Sequence, residues 1–220
     1  MRRTFMIILS LCLICLCSAC ADNTSNQTPT SKQPQDVSTV PSETESSETE
    51  SEVPDMTDTD KILIAYFSRT GNTRALAEEI AEQTGAEVFE IIPSEPYPDD
   101  YDATVERFRK ERAENARPAI ASKVANMEEF ATVFIGFPNW GDDMPHIVYT
   151  FLEQYDLSGK TVIPFCTNGG GGFGNSLDGL KRTCPDSIVA DGFECSGSRA
   201  DRQQENVSKW LAEIGVEVQQ

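Results

Sequence analysis

The six apolar residues Ile62-Leu63-Ile64-Ala65-Tyr66-Phe67 run directly into Ser68-Arg69-Thr70-Gly71-Asn72-Thr73, and then into a segment whose apolar residues fall at helical spacing. A strand without polar alternation is buried on both faces, which requires helices on either side of a mainly parallel sheet. The turn between that strand and the helix gathers unpaired backbone N–H groups and the positive end of the helix dipole. Three hydroxyl side chains, one amide and one glycine at such a point suit an anion. There is no lysine, so the G-x-x-x-x-G-K-[ST] nucleotide loop does not match, and neither does the G-x-G-x-x-G dinucleotide turn. Ser, Thr, Asn and Gly are also ordinary helix-cap and turn residues, so the hexapeptide by itself leaves a plain turn open.

The rest of the chain decides between these readings. Strand-like and helix-like segments alternate from Lys61 onward: strands at 62–67, 87–92, 132–137 and 161–166 and a weak one at 187–190, with helices at 73–84, 102–116, 147–155, 176–183 and 202–214. Five such units predict an α/β domain, a three-layer doubly wound sandwich around a five-stranded parallel sheet. In these folds ligands sit at the carboxyl ends of the strands where the winding reverses. Three loops satisfy that rule: 68–73, then 138–143 with Trp140 beside Gly141, then 167–175, which reads Thr-Asn-Gly-Gly-Gly-Gly-Phe-Gly-Asn. An anion seat, an aromatic plate and a glycine-lined slot describe a pocket for a flat, phosphorylated heteroaromatic.

The first 60 residues are of a different kind. Arg2-Arg3 precede an apolar run from Phe5 to Leu16 that is shorter than the roughly 20 residues of a membrane span and suits a signal-peptide core. Ser18 and Ala19 before Cys20 resemble a bacterial lipoprotein box, although Cys17 stands where leucine is usual. Residues 1–20 are therefore expected to be a lipoprotein signal peptide with lipidation at Cys20, ordinary secretion or an uncleaved anchor being the alternatives. Residues 21–60 hold Ser, Thr, Gln, Pro and a run of acids, too little apolar surface to offset chain entropy, and are expected to be a disordered linker. Such a 40-residue tether reaches roughly 35 Å. The expected location is extracytoplasmic, lipid-anchored to the cell membrane.

The formal net charge is −18, and from Lys61 onward 15 basic residues face 26 acidic ones. A domain so acidic repels phosphate backbones, so nucleic acid is not an expected partner. Three cysteines fall in the domain, Cys166, Cys184 and Cys195, with no C-x-x-C and the single His146. No metal site is expected from that set. Cys166 reads as a buried small hydrophobe, a Cys184–Cys195 disulfide is left open, and His146 reads as structural rather than as a proton donor.

The domain from 61 to 220 resembles the flavodoxin-like proteins, specifically the short bacterial flavodoxins of predicted lipoprotein type. Ser68–Thr73 resembles their phosphate loop, Phe137–Pro145 their aromatic loop, and the stretch from Ser158 through Ser176 their fourth strand and Gly-rich turn. Many members carry a second tryptophan where this chain has Gly141, so half the aromatic wall is either missing or supplied by Phe173 or Tyr97. The resemblance implies strand order 2-1-3-4-5 and non-covalently bound FMN. It also implies the cofactor-binding set Ser68, Arg69, Thr70, Gly71, Asn72 and Thr73 at the phosphate, Trp140 stacked on the ring, the main chain of Gly141 and of Asn168, Gly169 and Gly170 at its polar edge, and Pro138, Asn139, Thr167 and Phe173 as further members of these loops. Arg69 either reaches the phosphate or points to solvent. Asp142 and Asp143 are expected to lower the flavin's potential by their charge. The function implied is electron transfer at the outer face of the cytoplasmic membrane, with a redox partner protein or quinone as the other party. An NAD(P)H-dependent FMN or quinone reductase is the alternative, and a flavin-free scaffold lipoprotein a second one.

Overall fold

The computed structural model describes residues 61–218, so the signal segment at 1–20 and the linker at 21–60 lie outside the described residues. Strands β1 (Lys61–Tyr66), β2 (Glu87–Glu90), β3 (Phe130–Pro138), β4 (Thr161–Asn168), β5 (Ile188–Val189) and β6 (Phe193–Ser196) form one sheet. Its order is β2-β1-β3-β4-β5, every pairing is parallel, and β6 also lies against β4. The helices are α1 (Asn72–Thr84), α2 (Tyr101–Glu114), α3 (His146–Glu153), α4 (Ser176–Thr183) and α5 (Gln204–Glu213).

The unbroken apolar strands divide their side chains between two cores by the period-two alternation of a strand. Leu63, Ala65 and Phe67 of the first strand region join Val133, Ile135, Phe137, Ile147, Phe151 and Leu180 on the α3 and α4 face. Ile64, Tyr66 and Phe134 join Leu76, Ile80, Val207, Trp210 and Leu211 on the α1 and α5 face. The domain is thus the three-layer sandwich that continuous apolar strands require. Cys166 and Cys184 lie in the first core and Cys195 in the second, and all three are free thiols. The disulfide left open by the sequence is absent because Cys184 and Cys195 face opposite sides of the sheet.

The last edge is the place where the fold departs from a simple five-strand reading. The sequence signals only 187–190, whereas two short strands, β5 and β6, share the edge of β4. Val162 O accepts the Ala190 N–H at 3.0 Å, so the even-numbered residues of β4 present their backbone to this edge. Pro164 is one of them and has no N–H to donate. Pairing stops opposite it and resumes at Phe165↔Phe193. Gly192 fits in the gap because a Cβ there would stand 2.7 Å from both Phe173 Cζ and Pro164 O. The break extends the edge beyond the expected strand and delivers Ser196-Gly197-Ser198 to the carboxyl end of the sheet.

Candidate functional site

The loop after β1 is held open as an anion seat by what it leaves unpaired. Ser68 Oγ accepts the Gly71 N–H at 3.1 Å, and Gly71, at φ +89°, is the N-cap of α1 with no side-chain cap bond. Among the described residues the backbone N–H groups of Thr70, Asn72 and Thr73 make no hydrogen bond. A Ser or Asp cap in place of this glycine would have added only roughly a few tenths of a kcal/mol, by consuming one of them. Helix α1 does without it because Leu76 and Ile80, wholly buried, contribute roughly 1.5–3 kcal/mol each. Thr73 Oγ1 is 2.8 Å from Thr167 Oγ1, a buried hydrogen bond that ties this loop to the end of β4.

Arg69 lines the cleft, yet its guanidinium is engaged with protein carbonyls. Its Nε and Nη2 donate to the Pro98 carbonyl at 3.1 and 2.9 Å, and Nη2 also donates to the Asp99 carbonyl. The guanidinium pins the loop that leads into α2, and the phosphate seat depends on backbone N–H groups.

Trp140-Gly141-Asp142-Asp143 is a tight turn closed by Trp140 N–H to Asp143 O at 2.8 Å and Asp143 N–H to Trp140 O at 3.2 Å. Its two central residues have φ of +55° and +72°, the left-handed pair that a two-residue turn of type I′ demands. Trp140 is gripped edge-on by Phe67, Tyr97 and Phe108, with ring centroids at 5.5, 5.2 and 5.9 Å. The aromatic wall expected beside it comes from Phe108 of α2. A Cβ on Gly141 would lie 2.8 Å from Phe108 Cε1, so that ring takes up the space over the glycine. Tyr97 is buried behind the tryptophan, donating to Glu111 Oε2 at 2.8 Å, and burial together with the Glu111 charge holds its phenol well above the usual tyrosine range. Phe173 packs on Phe137 at 6.2 Å and lies outside the cleft.

Asp142 and Asp143 turn away from the cleft. Asp142 accepts from Asn175, through its carbonyl at 2.8 Å and its carboxylate at 3.2 Å. Asp143 Oδ1 accepts from the Met144 N–H and from the Tyr149 hydroxyl at 3.0 Å. Burial, reinforced by Asp143, raises the Tyr149 phenol to about 12. Neither carboxylate lines the cleft, so any effect of theirs on a bound ring is exerted through space from the residues that follow Gly141. His146 Nδ1 donates to the Ala116 carbonyl at 2.9 Å in a buried position, a structural role as expected.

These loops surround a cleft of about 720 Å³ at the carboxyl end of the sheet. Of the residues expected from the sequence, Ser68, Arg69, Thr70, Asn72 and Thr73, then Pro138, Asn139, Trp140 and Gly141, then Thr167, Asn168 and Gly169 line it. Gly71, Gly170 and Phe173 do not. Gly71 and Gly170 serve the loop backbone, the Gly170 N–H going to Asn168 Oδ1 at 2.7 Å while Asn168 Nδ2 donates to Glu194. Two walls were not foreseen. One is Ser196-Gly197-Ser198, whose small hydroxyl-and-glycine chemistry repeats that of the first loop. The other is the face of α2 carrying Tyr101, Thr104, Val105, Phe108, Arg109 and Arg112. In a domain with 26 acidic residues the cleft lining contains no Asp or Glu and three arginines, so it is built for negative charge. Asn139 Nδ2 donates to Gly172 O at 2.6 Å, leaving its buried Oδ1 without a partner among the described residues.

A cleft of this kind on this strand order defines a nucleotide-binding protein of the doubly wound type. The chain belongs to the flavodoxin family, whose model, described as Flavodoxin, matches residues 61–214. Among solved structures it is similar to a candidate flavoprotein of Bacteroides eggerthii, at 38% identity over 71% of this chain and 99% of that one, with a TM-score of 0.64. A second, from Bacteroides uniformis, is 34% identical over 70% of this chain and 98% of that one, with a TM-score of 0.63. A flavoprotein of Lactobacillus acidophilus, crystallised in complex with FMN, shares the fold at 23% identity, covering 68% of this chain and 99% of that one with a TM-score of 0.57. No curated protein of assigned function matches the chain.

Proposed function

We propose that this chain is an FMN-binding electron-transfer protein, held at the outer face of the cytoplasmic membrane by lipid on Cys20 and exchanging electrons with a redox protein or a quinone. The observation that carries the reading is the acid-free cleft in which the bare N-terminus of α1 opens beside Trp140. A phosphomonoester brings about −1.5 to −2 charges at neutral pH, and the free N–H groups of Thr70, Asn72 and Thr73 suit its oxygens without a lysine. Trp140, immobilised by three rings, offers a rigid face for the isoalloxazine. Ser68 keeps the phosphate loop in shape, and the Thr73–Thr167 hydroxyl pair keeps it in register with the ring end. Bound FMN supplies reversible one- and two-electron transfer.

The α2 wall favours a second reading. A carrier needs only an exposed flavin edge, whereas a helix face that walls the cleft with Tyr101, Arg109 and Arg112 offers surface for a substrate, as a reductase requires. Both are tested on the full chain. NADPH that bleaches the flavin and drives multiple turnovers of a quinone identifies a reductase, and a flavin reduced only by a partner protein or by dithionite identifies a carrier. Partition of the wild-type chain into a detergent phase, lost in Cys20→Ala, supports the anchor; equal partition of both overturns it.

A further inference from the structure

The cleft holds more positive charge than its phosphate seat uses. The seat works through backbone N–H groups, and Arg69 is committed to two carbonyls. Arg109 and Arg112 remain, one helical turn apart on α2, and among the described residues neither is paired with a carboxylate. Elsewhere in the domain Arg74, Arg107 and Arg117 each hold a glutamate at 2.6–2.8 Å, so acids are available and are placed beside other arginines. The acids of α2 itself, Asp102, Glu106, Glu111 and Glu114, do not line the cleft.

The two arginines stand at the ring end of the cleft. Arg112 Nη1 donates to the Gly141 carbonyl at 2.7 Å, which fixes its guanidinium next to the residue that follows Trp140. Arg109 has no hydrogen bond or ion pair among the described residues and lies exposed on the same wall. Along the same stripe, Tyr101 is 72% exposed with no aromatic neighbour among the described residues, and Val105 and Phe108 complete an apolar strip. An uncompensated guanidinium pair bordering an aromatic strip is suited to a planar molecule that carries an oxyanion.

We propose that Arg109 and Arg112 form an anion subsite on α2, separate from the phosphate loop. It would bind the phosphate or carboxylate of a small aromatic electron donor or acceptor that enters the cleft beside the flavin. This rests on the flavin reading given above and deepens it, since it names the charge and shape of the second ligand.

The test uses the FMN-saturated full chain and three probes of one shape, 2-naphthyl phosphate, 2-naphthoate and the uncharged 2-naphthamide, with dissociation constants from titration calorimetry. At least one anion is expected to bind about tenfold or more tighter than the amide, the worth of a hydrogen bond to a charged group. Arg109→Gln, Arg112→Gln and the charge reversal Arg109→Glu should shrink that ratio toward one while leaving the amide unchanged. The tighter anion identifies phosphate or carboxylate as the natural group. An amide that binds as well as both anions, or a ratio untouched by the substitutions, overturns the subsite; so does selectivity confined to a protein partner. If Arg112→Gln disturbs the turn at Gly141, the two Arg109 variants decide, because Arg109 makes no contact the fold depends on. A chain that takes up no FMN refutes the flavin reading, and the same ratios measured on that flavin-free chain still decide the subsite.

Discussion

At Gly141 the side chain is absent for two reasons that add. The residue sits at φ +55°, and Phe108 already fills the space a Cβ would enter at 2.8 Å. Gly71 has a left-handed φ of +89° as well, but nothing lies within 4 Å of its Cβ position. Gly71→Ala should therefore lose about 1–2 kcal/mol from backbone strain alone. Gly141→Ala should lose more, because Phe108 must also move and with it one of the three rings that hold Trp140. Urea midpoints measured at unchanged slope compare the two, and equal losses would mean that Phe108 gives way without cost. The same residues show what a sequence conveys at this scale. Trp140, the hydroxyls of 68–73 and the glycines of 167–170 announce their chemistry by type. The partners of Arg69, by contrast, are carbonyls 29 and 30 residues further along, and a backbone carbonyl has no signature in the sequence. For the same reason the sequence shows the charges of Asp142 and Asp143 but not the Asn175, Met144 and Tyr149 groups that orient them.

Helix α2 shows the limit at the scale of elements. Its charged composition reads as a solvated helix, and by residue type only Phe108 and Tyr101 hint that one face closes a cleft. The contact with Trp140 crosses between distant loops and follows from tertiary packing rather than from local periodicity. The split of the last edge strand had a local cause that was visible, Pro164 in an apolar run, but its consequence depends on which neighbour that residue's backbone faces. The segment after α2 is tied down by Arg117, whose Nε and Nη2 donate to Glu153 of α3 at 2.7 and 2.8 Å. The hydrogen bond from Arg117 holds the Glu153 carboxyl below the usual glutamate value of 4.5. A carboxyl with a depressed folded-state pKa stabilises the fold above its unfolded value, and that contribution is lost as pH falls through the folded value. Both side chains are partly exposed, so the pair is worth about 0.2–1 kcal/mol. Glu153→Gln should lower stability by that amount at neutral pH, with the gap closing as the pH is taken below about 4.5. A gap that persists in acid would mean the variant acts through packing.

For the molecule as a whole, the distribution of charge matters more than its sum. A domain with 26 acidic residues keeps every one of them out of one cleft, and lines that cleft with a bare helix N-terminus and three arginines. General electrostatics would have nucleic acid repelled from such a surface, while a small phosphorylated molecule that enters the cleft meets arginines and unpaired N–H groups. A ligand that binds only the folded chain also stabilises it, by about 2.7 kcal/mol at a hundred times its dissociation constant. The most direct test of the account is therefore the flavin content of the purified full chain, followed by calorimetric titration of the flavin-stripped chain with FMN and with riboflavin. The account predicts one FMN per chain, identified by mass after release, and much tighter binding of FMN than of riboflavin, which lacks the phosphate that the Ser68–Thr73 loop is shaped to hold. A colourless chain that binds neither, or one that binds both equally, would contradict it.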